Sequence, residues 1–579
     1  MNLETSFCEN ETSPLMENLE HEHEKFSFKQ MRKELLLLVK IAIPIILTNL
    51  CGFLILTESI IIAGHISKYE LDACALANSV INVAGIAVAT GLCTACDTLF
   101  SQMYGSKHRK AIGAMLIKST MIITIFPILL IALHINMEPL FILMGQDKIV
   151  AKDAARYMVI FSPGLLFGFY FLILTRYMQN QNKVLPPMII GIIVNIFNVV
   201  SQYLTVYYFK LGFDFSAICQ AITFLLFWAL ELAYILIAKL YEETWDGWTR
   251  DVFLEWGLFT KLAIPGAAMV IMECFCFEIG TLLSGVMGPL EMAAQSVLFQ
   301  LETITFMISF GVGISVNIRV GQYLGSGKPQ QALKVYRYGL LVMMSSFVLT
   351  SSLILGFKDY LPLVFTNDGE AQKLSSELLP ILVGVQFFDA FGTVTMGALR
   401  GCGRQKICVL LIFCSFYLLG QPIGISLAFV AQLKVQGLWI GLLVSLAICV
   451  PIAVIYTNFI QDWQHQANLC QKRIAEARHQ QENEEFKNET IESRRNSFQQ
   501  LEYFKASHRR SISKSFSVSV PGNIMVTKYV EVTEKTYTKA YITKFIIFFS
   551  TLCVLIMGIL VKLYLPRELY WPLSNSTSH

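Results

Sequence analysis

"KLAIPGAAMVIMECFCFEIG", residues 261–280, decides the fold, because its first five residues have a counterpart in "KIAIP" at 40–44, 221 positions earlier. A second pair stands at nearly the same offset: "QMYGS" at 102–106 and "QYLGS" at 322–326, 220 positions apart. Two matches at one spacing, each at the same place relative to an apolar run, indicate a duplicated membrane unit. The quoted stretch also holds two carboxylates, Glu273 and Glu278, in otherwise apolar surroundings.

Composition sets the class. Of 579 residues, 54% are hydrophobic and only 15% charged, against roughly 25% charged in an average soluble domain. Such a chain is a polytopic membrane protein, with the lipid bilayer as its first partner. A net charge of +3 with basic residues confined to short loops argues against nucleic acid. The 14 cysteines are scattered through apolar segments, as at Cys219, Cys274, Cys276, Cys414 and Cys449, without metal-ligand spacing, so they read as packing residues. The N-terminal stretch is acidic and polar, which excludes an ordinary cleaved signal peptide and leaves the first membrane helix to direct insertion. There is no phosphate-cradling loop, no paired metal-binding histidines and no nucleophile elbow. The expectation is a transporter without catalytic activity or cofactor, driven by an ion gradient.

A bilayer core of about 30 Å needs about 20 apolar residues at 1.5 Å each. Helices are predicted at 36–57, 74–98, 113–135, 153–175, 184–208, 215–238, 259–285, 292–317, 336–356, 377–398, 407–430, 436–460 and 543–564. Six helices separate the repeated copies, so both halves enter the membrane in the same direction. The predicted fold is all-α: two six-helix bundles related by a pseudo-twofold axis along the membrane normal, a cleft between them, and a thirteenth helix. In domain terms this gives a cytosolic tail over 1–34, an N-lobe over 35–238, a linker over 239–258, a C-lobe over 259–463, a polar cytosolic insert over 464–542 expected to be disordered, the last helix over 543–564 and an extracellular tail over 565–579. Basic residues before the first helix (Lys29, Arg32, Lys33) and after the second, eighth and tenth (Lys107, Arg109, Lys110; Arg319, Lys328; Arg400, Arg404, Lys406) place the N-terminus in the cytosol and the C-terminus outside. The sequon at Asn575 is then accessible, and those at Asn10 and Asn488 are not. "RRNS" at 494–497 and "RRSIS" at 509–513 match basophilic kinase sites.

A carboxylate inside the bilayer costs at least about 2.5–3.5 kcal/mol, and burial disfavours its ionised form, which makes it a functional candidate by default. The candidates are Glu58, Glu231, Glu273, Glu278, Glu302 and Asp389; the alternative for each is a hydrogen-bonded structural acid. Glu273 and Glu278 are five residues apart, hence about 140° and 7.5 Å apart on a helix, too far to share a proton. Either one faces a cleft and the other its own half, or both border a wide cavity at different depths. Phe275 and Phe277, with Phe299 and Phe306 on the next helix, would suit a bulky organic cation through apolar and cation–π contact.

"AIPIILTNL", "GHISKYELDA", "ACDTLFSQMYGS", "RVGQYLGSG", "GALRGCGRQK" and "QPIGISLAF", with the opening stretch, resemble the multidrug and toxin extrusion (MATE) family, in its animal branch with thirteen helices. The resemblance spans about residues 35–463. It implies a V-shaped pair of lobes that alternates between inward-open and outward-open states and exports organic cations and xenobiotics in exchange for protons across the plasma membrane, as a monomer. By matching motif, it implies proton and cation binding at Glu273, Glu278, Asp389, Asn82 of "VINV" and Gln300, which stands where relatives carry a helix 8 acid. Cys274 stands in place of Trp; Phe277, Phe299 and Phe306 in place of Tyr; Gln386 in place of His; and Glu58 where an apolar residue is expected. Glu58, Glu302, Phe299, Phe306, Asn49 and Gln386 form an accessory set. Glu302, rotated by about 200° from Gln300, is not expected simply to replace it. These departures suggest a narrowed or shifted substrate range. The rival expectations are sodium coupling on the same fold, transport of a lipid-linked substrate, or a polytopic receptor or scaffold acting through the insert.

Overall fold

A computed structural model describes residues 13–247, 250–253, 256–366, 368–476 and 523–564. The two kinase-type motifs and the three sequons lie outside these residues. Thirteen helices among those described are long and apolar enough to cross a bilayer: α1 Lys29–Gly64, α2 Lys68–Gly105, α3 Ala111–Ile135, α4 Lys148–Asn180, α5 Leu185–Tyr208, α6 Asp214–Ile237, α7 Trp256–Met287, α8 Pro289–Gly325, α9 Pro329–Gly356, α10 Gly369–Gly401, α11 Gln405–Val430, α12 Lys434–Ile460 and α13 Ile542–Lys562.

Local chemistry sets the helix starts. Ser67, Asp147 and Asp368 cap α2, α4 and α10 through side-chain oxygens that accept from Glu70, Ile149 and Glu370 backbone N–H groups. Pro289 and Pro329 open α8 and α9, where a missing N–H costs nothing. Several helices outrun their predicted spans by a turn or two, because a hydropathy window sees only the apolar core of each.

Large residues pack the interior of each lobe. In the N-lobe Phe171 stacks on Phe227 with ring centroids 4.4 Å apart, within a core that includes Phe100, Tyr157, Phe161 and Phe169. The C-lobe core joins Leu298, Leu379, Leu382, Phe416 and Trp439. Apolar residues also line the outside: Ile189, Ile192, Ile193, Ile196 and Val200 form an exposed stripe along α5, as expected of a lipid-facing helix.

The pseudo-twofold relation is visible in close backbone contacts. A Cβ on Gly91 of α2 would lie 2.5 Å from Ala267 Cα of α7, and one on Gly311 of α8 would lie 3.1 Å from Ile46 N of α1. The two glycines are 220 residues apart and their partners 221, the offsets of the sequence repeat. At the helix ends the relation recurs: a Cβ on Gly105 would meet Gln322 O at 2.0 Å, and one on Gly325 would meet Gln102 O at 2.0 Å.

Two expected boundaries move. Residues 463–476, assigned from 464 onward to a disordered insert, are helical. Trp463, Ala467, Cys470 and Ile474 bury one face of that helix within a core to which α1, α8, α9 and α10 also contribute. The helix carrying α13 begins at Asn523, inside the same expected insert. α13 packs along α3: Asn136 Nδ2 donates to Gly558 O at 3.0 Å, and Lys544 Nζ sits 4.3 Å over the Trp256 ring.

Candidate functional site

Between the lobes lies a cavity of about 220 Å³ lined by α1, α2, α7, α8 and α10. Each helix contributes a single stripe. On α7 the lining residues are Met269, Val270, Glu273, Cys274, Phe277 and Glu278; on α8 they are Phe299, Glu302, Thr303, Phe306, Met307 and Phe310. Steps of three and four keep such residues on one helix face. On α2 the stripe Asn82, Val83, Ile86, Ala87 and Thr90 begins in a π-helical segment, Ile81–Ile86, a local widening of the helix common at functional sites.

Both helix 7 acids therefore border the one cavity, at different depths. Glu278 Oε1 accepts from Ser79 Oγ of α2 at 3.0 Å, a hydrogen bond from one lobe to the other. Glu273 lies deeper, within electrostatic reach of Asp389 and of the Arg400 guanidinium. Glu302 is 3% exposed, and its Oε2 has no hydrogen-bond partner among the described residues. Arg400 is equally buried and lies 5.7 Å from the centre of the Phe310 ring. Asn82, Thr90, Thr303 and Thr393 add neutral polar groups, and the remaining wall is mainly aromatic or apolar, with Phe277 and Phe299 at 5.5 Å and Phe306 stacked on Phe310 at 5.6 Å.

The expected site set divides. Glu273, Glu278, Asn82, Glu302, Phe299 and Phe306 line the cavity. Gln300 does not: one residue past Phe299 it turns about 100° away, so the helix 8 carboxylate facing the cavity is Glu302. Asp389 occupies a smaller cavity of about 30 Å³ within the C-lobe, among α10, α11 and α12, with Met396 bordering both spaces. Phe275 is 50% exposed and faces away from the cavity. Gln386 donates to Thr350 Oγ1 at 3.2 Å, between α10 and α9. Asn49 has a buried Nδ2 with no described partner and does not reach the cavity. Glu58 belongs to a polar network inside the N-lobe: it accepts from Asn198 Nδ2 at 2.6 Å, and Asn198 Oδ1 accepts from Gln202 and Thr223 at 3.0 and 2.9 Å. Glu231 accepts from Thr175 Oγ1 at 2.6 Å and reads as structural.

Sequence reasoning did not single out Arg400, Phe53, Thr393 or Met396 as part of the wall. Arg400 stands in a quoted motif, but two residues past the predicted end of its helix at 398 it reads as a loop charge. The helix continues to Gly401 and carries it inward.

The cavity ends where the lobes meet. Thr98 Oγ1 donates to Arg400 O at 2.7 Å, Gln102 Nε2 to Gly401 O at 2.8 Å, and Gln322 Nε2 to Asn180 O at 3.0 Å. Beside them Asp97, next to Thr98, and Arg176 form a buried pair at 3.7 Å. Chemically, the site offers three carboxylates and one guanidinium that stays charged. Full ionisation leaves an excess of negative charge for protons or an organic cation to balance. Among the described residues no cluster of His, Cys, Asp and Glu could hold a metal ion.

The MatE family model matches the chain twice, over residues 44–204 and 265–425. The two matches start 221 residues apart, one on each lobe. The chain is 39% identical over 446 residues to multidrug and toxin extrusion protein 2 of Mus musculus, covering 76% of this chain and 77% of that one. It is 36% identical over 444 residues to multidrug and toxin extrusion protein 1 of Homo sapiens, covering 76% and 78%. The crystal structure of the eukaryotic MATE transporter AtDTX14 superposes with a TM-score of 0.73 at 26% identity, over 77% of this chain and 99% of that one. Duplicated lobes, the cavity between them and these relatives agree: the chain belongs to the MatE family, as a multi-pass membrane transporter.

Proposed function

We propose that the protein exports organic cations in exchange for protons by alternating access. The observation that carries this reading is the cavity itself, where Glu273, Glu278 and Glu302 converge on an aromatic space between two lobes with one buried guanidinium among them. The names of its relatives, multidrug and toxin extrusion proteins, support efflux. With Glu273 ionised, an organic cation gains charge attraction and cation–π contact with Phe277, Phe299 and Phe306. Protonation from outside removes that attraction and releases the cation; deprotonation on the cytosolic side restores it. Arg400 offsets one unit of the charge that the three acids carry when ionised, so the ionised site keeps an excess of negative charge for the exchange. Because Phe277, Phe299 and Phe306 carry no hydroxyl, these three faces select by shape and cation–π contact, leaving neutral hydrogen bonding to Asn82, Thr90, Thr303 and Thr393, which favours a narrowed substrate range.

Arg319 and Arg400, expected in loops, lie within α8 and α10, and the basic residues that do follow α2, α8 and α10 (Lys107, Arg109 and Lys110; Lys328; Arg404) stand at the closed end, where Gly105 meets Gln322 and Arg473 meets Cys402. By the positive-inside rule that end is cytosolic, with the N-terminus inside and the C-terminus on the far side of the membrane, which we assign to the plasma membrane from the efflux role proposed here. One chain holds both lobes, so a monomer suffices.

The test is pH-jump uptake of a fluorescent organic cation into proteoliposomes. Glu273→Gln is expected to reduce proton-driven uptake to the protein-free background; wild-type flux in that variant overturns the assignment. A sodium gradient that drives uptake without a pH difference overturns proton coupling.

A further inference from the structure

A second cavity, of about 210 Å³, lies apart from the transport site between the starts of α1 and α9 and the end of α8. Two matching stripes face each other across it: Gln30 and Lys33 on α1, Gln331 and Lys334 on α9, each amide three residues before its ammonium. Its floor is Tyr323, whose hydroxyl donates to Glu34. Arg319 grips the same carboxylate with Nη2 at 2.8 and 3.0 Å from its two oxygens and lies 4.7 Å from the Tyr323 ring centre. The one acid in the wall is thus already balanced by Arg319. Lys33 and Lys334 are exposed and form no ion pair with any described residue, which leaves the cavity with two uncompensated positive charges and two amide donors.

Its level matters. Lys33 and Glu34 immediately precede the apolar run "LLLLV" at 35–39, so the cavity opens where lipid phosphates lie. The first turns of α9, which begins at Pro329, add the positive end of a helix dipole. Basic pockets between membrane helices on the cytosolic side suit phosphorylated lipid headgroups. At roughly 30 Å³ per water in the liquid, the space holds about seven waters' volume, enough for a phosphate group and part of its alcohol, with the acyl chains left outside. We infer that this cavity is a binding site for a phosphomonoester, presented by a lipid headgroup of the adjoining leaflet or free in solution, clamped between Lys33 and Lys334. The lipid source rests on the membrane placement proposed above; the chemistry of the clamp does not.

The experiment uses the full chain in detergent, with melting midpoint followed against three probes: water-soluble dioctanoyl phosphatidylinositol 4-phosphate, dioctanoyl phosphatidylcholine and inorganic phosphate. Saturable stabilisation by the phosphoinositide and none by phosphatidylcholine is expected. The double variant K33Q/K334Q should bind about thirtyfold more weakly, about fivefold for each lysine, and K33R/K334R should restore binding. K358Q/K373Q, which removes two exposed lysines elsewhere, should bind as wild type. Stabilisation by inorganic phosphate at similar concentration assigns the free ligand; stabilisation by the lipid alone assigns the headgroup. Equal binding by wild type and K33Q/K334Q, with the variant's ligand-free melting point unchanged, overturns the site, as does equal stabilisation by phosphatidylcholine. If K33Q/K334Q melts lower without ligand, K334Q alone replaces it under the same criterion. No gradient enters the measurement, so a failure of proton coupling or of the proposed orientation leaves its outcome independent.

Discussion

Gln300 and Glu302 stand two residues apart, yet only Glu302 shares the α8 stripe with Phe299, Thr303, Phe306 and Phe310. Motif register pointed to Gln300; the helical count from Phe299 and Phe306 points to Glu302, since 299, 302 and 306 step by three and four. Glu302→Gln should lower proton-driven cation uptake by about tenfold or more, the scale of losing one charge that is balanced only in the cation- or proton-loaded site. Gln300→Ala should leave uptake within about twofold. The reverse pattern would return the helix 8 role to Gln300. Glu273 and Glu278 were legible because a charge in an apolar run is costly and therefore conspicuous. Arg400 and Asp389 were harder. Their depth depends on where α10 ends and on how α11 and α12 pack behind it, which local sequence does not encode.

Among the elements, the thirteen spans were legible because each carries a predominantly apolar run of bilayer length, even where one or two acids interrupt it. The helix at 463–476 was not, because its hydrophobicity is confined to Trp463, Ala467, Cys470 and Ile474, spaced by four, three and four, too thin a stripe for a hydropathy window. It closes over the C-terminal ends of α8 and α10: Gln471 Nε2 donates to Leu324 O and Gly325 O at 3.2 and 2.8 Å, and Arg473 Nη1 to Cys402 O at 3.1 Å. Arg473 Nη1 also reaches Gln102 Oε1 of the N-lobe at 3.5 Å, so the helix spans both lobes. Burial pushes the Cys402 and Cys470 thiols up to about 12 from an ordinary value of 9.0. A raised thiol pKa means less thiolate at a given pH, so at pH 8 alkylation of these two should be roughly a thousandfold slower than at an ordinary thiol, even before access is limited. Arg473→Ala removes the contact to both lobes and should speed maleimide labelling of Cys402 and Cys470 by tenfold or more. Labelling at the wild-type rate would show that the helix stays docked without Arg473.

For the whole molecule, the duplication makes a stronger demand than either lobe does alone. Gly105 and Gly325 are mates under the pseudo-twofold relation, and each lies where an added Cβ would come within 2.0 Å of a backbone carbonyl oxygen in the opposite lobe, on Gln322 and Gln102 respectively. A backbone oxygen cannot rotate aside as a side-chain tip can, so a larger residue at either position is incompatible with closure of this end. Gly105→Val and Gly325→Val should therefore give the same defect: insertion and folding retained, the closed arrangement depopulated, and export lost because the cycle can no longer alternate. A shift of 5.5 kcal/mol moves a two-state equilibrium from about 99:1 to 1:99, and overlap at 2.0 Å makes a change of that order reasonable. Gly356→Val is the control, since nothing lies within 4 Å of the Cβ it would add. The checks are cation counterflow in proteoliposomes and maleimide access to Cys402, a buried thiol at the same end. Counterflow should fall by at least about tenfold in both mates, with Cys402 labelled faster in both and unchanged in Gly356→Val. If one mate transports normally while the other fails, the two contacts are not equivalent in the cycle. The lobes then move by separate internal rearrangements, and rigid rocking about the axis that their sequences share is ruled out.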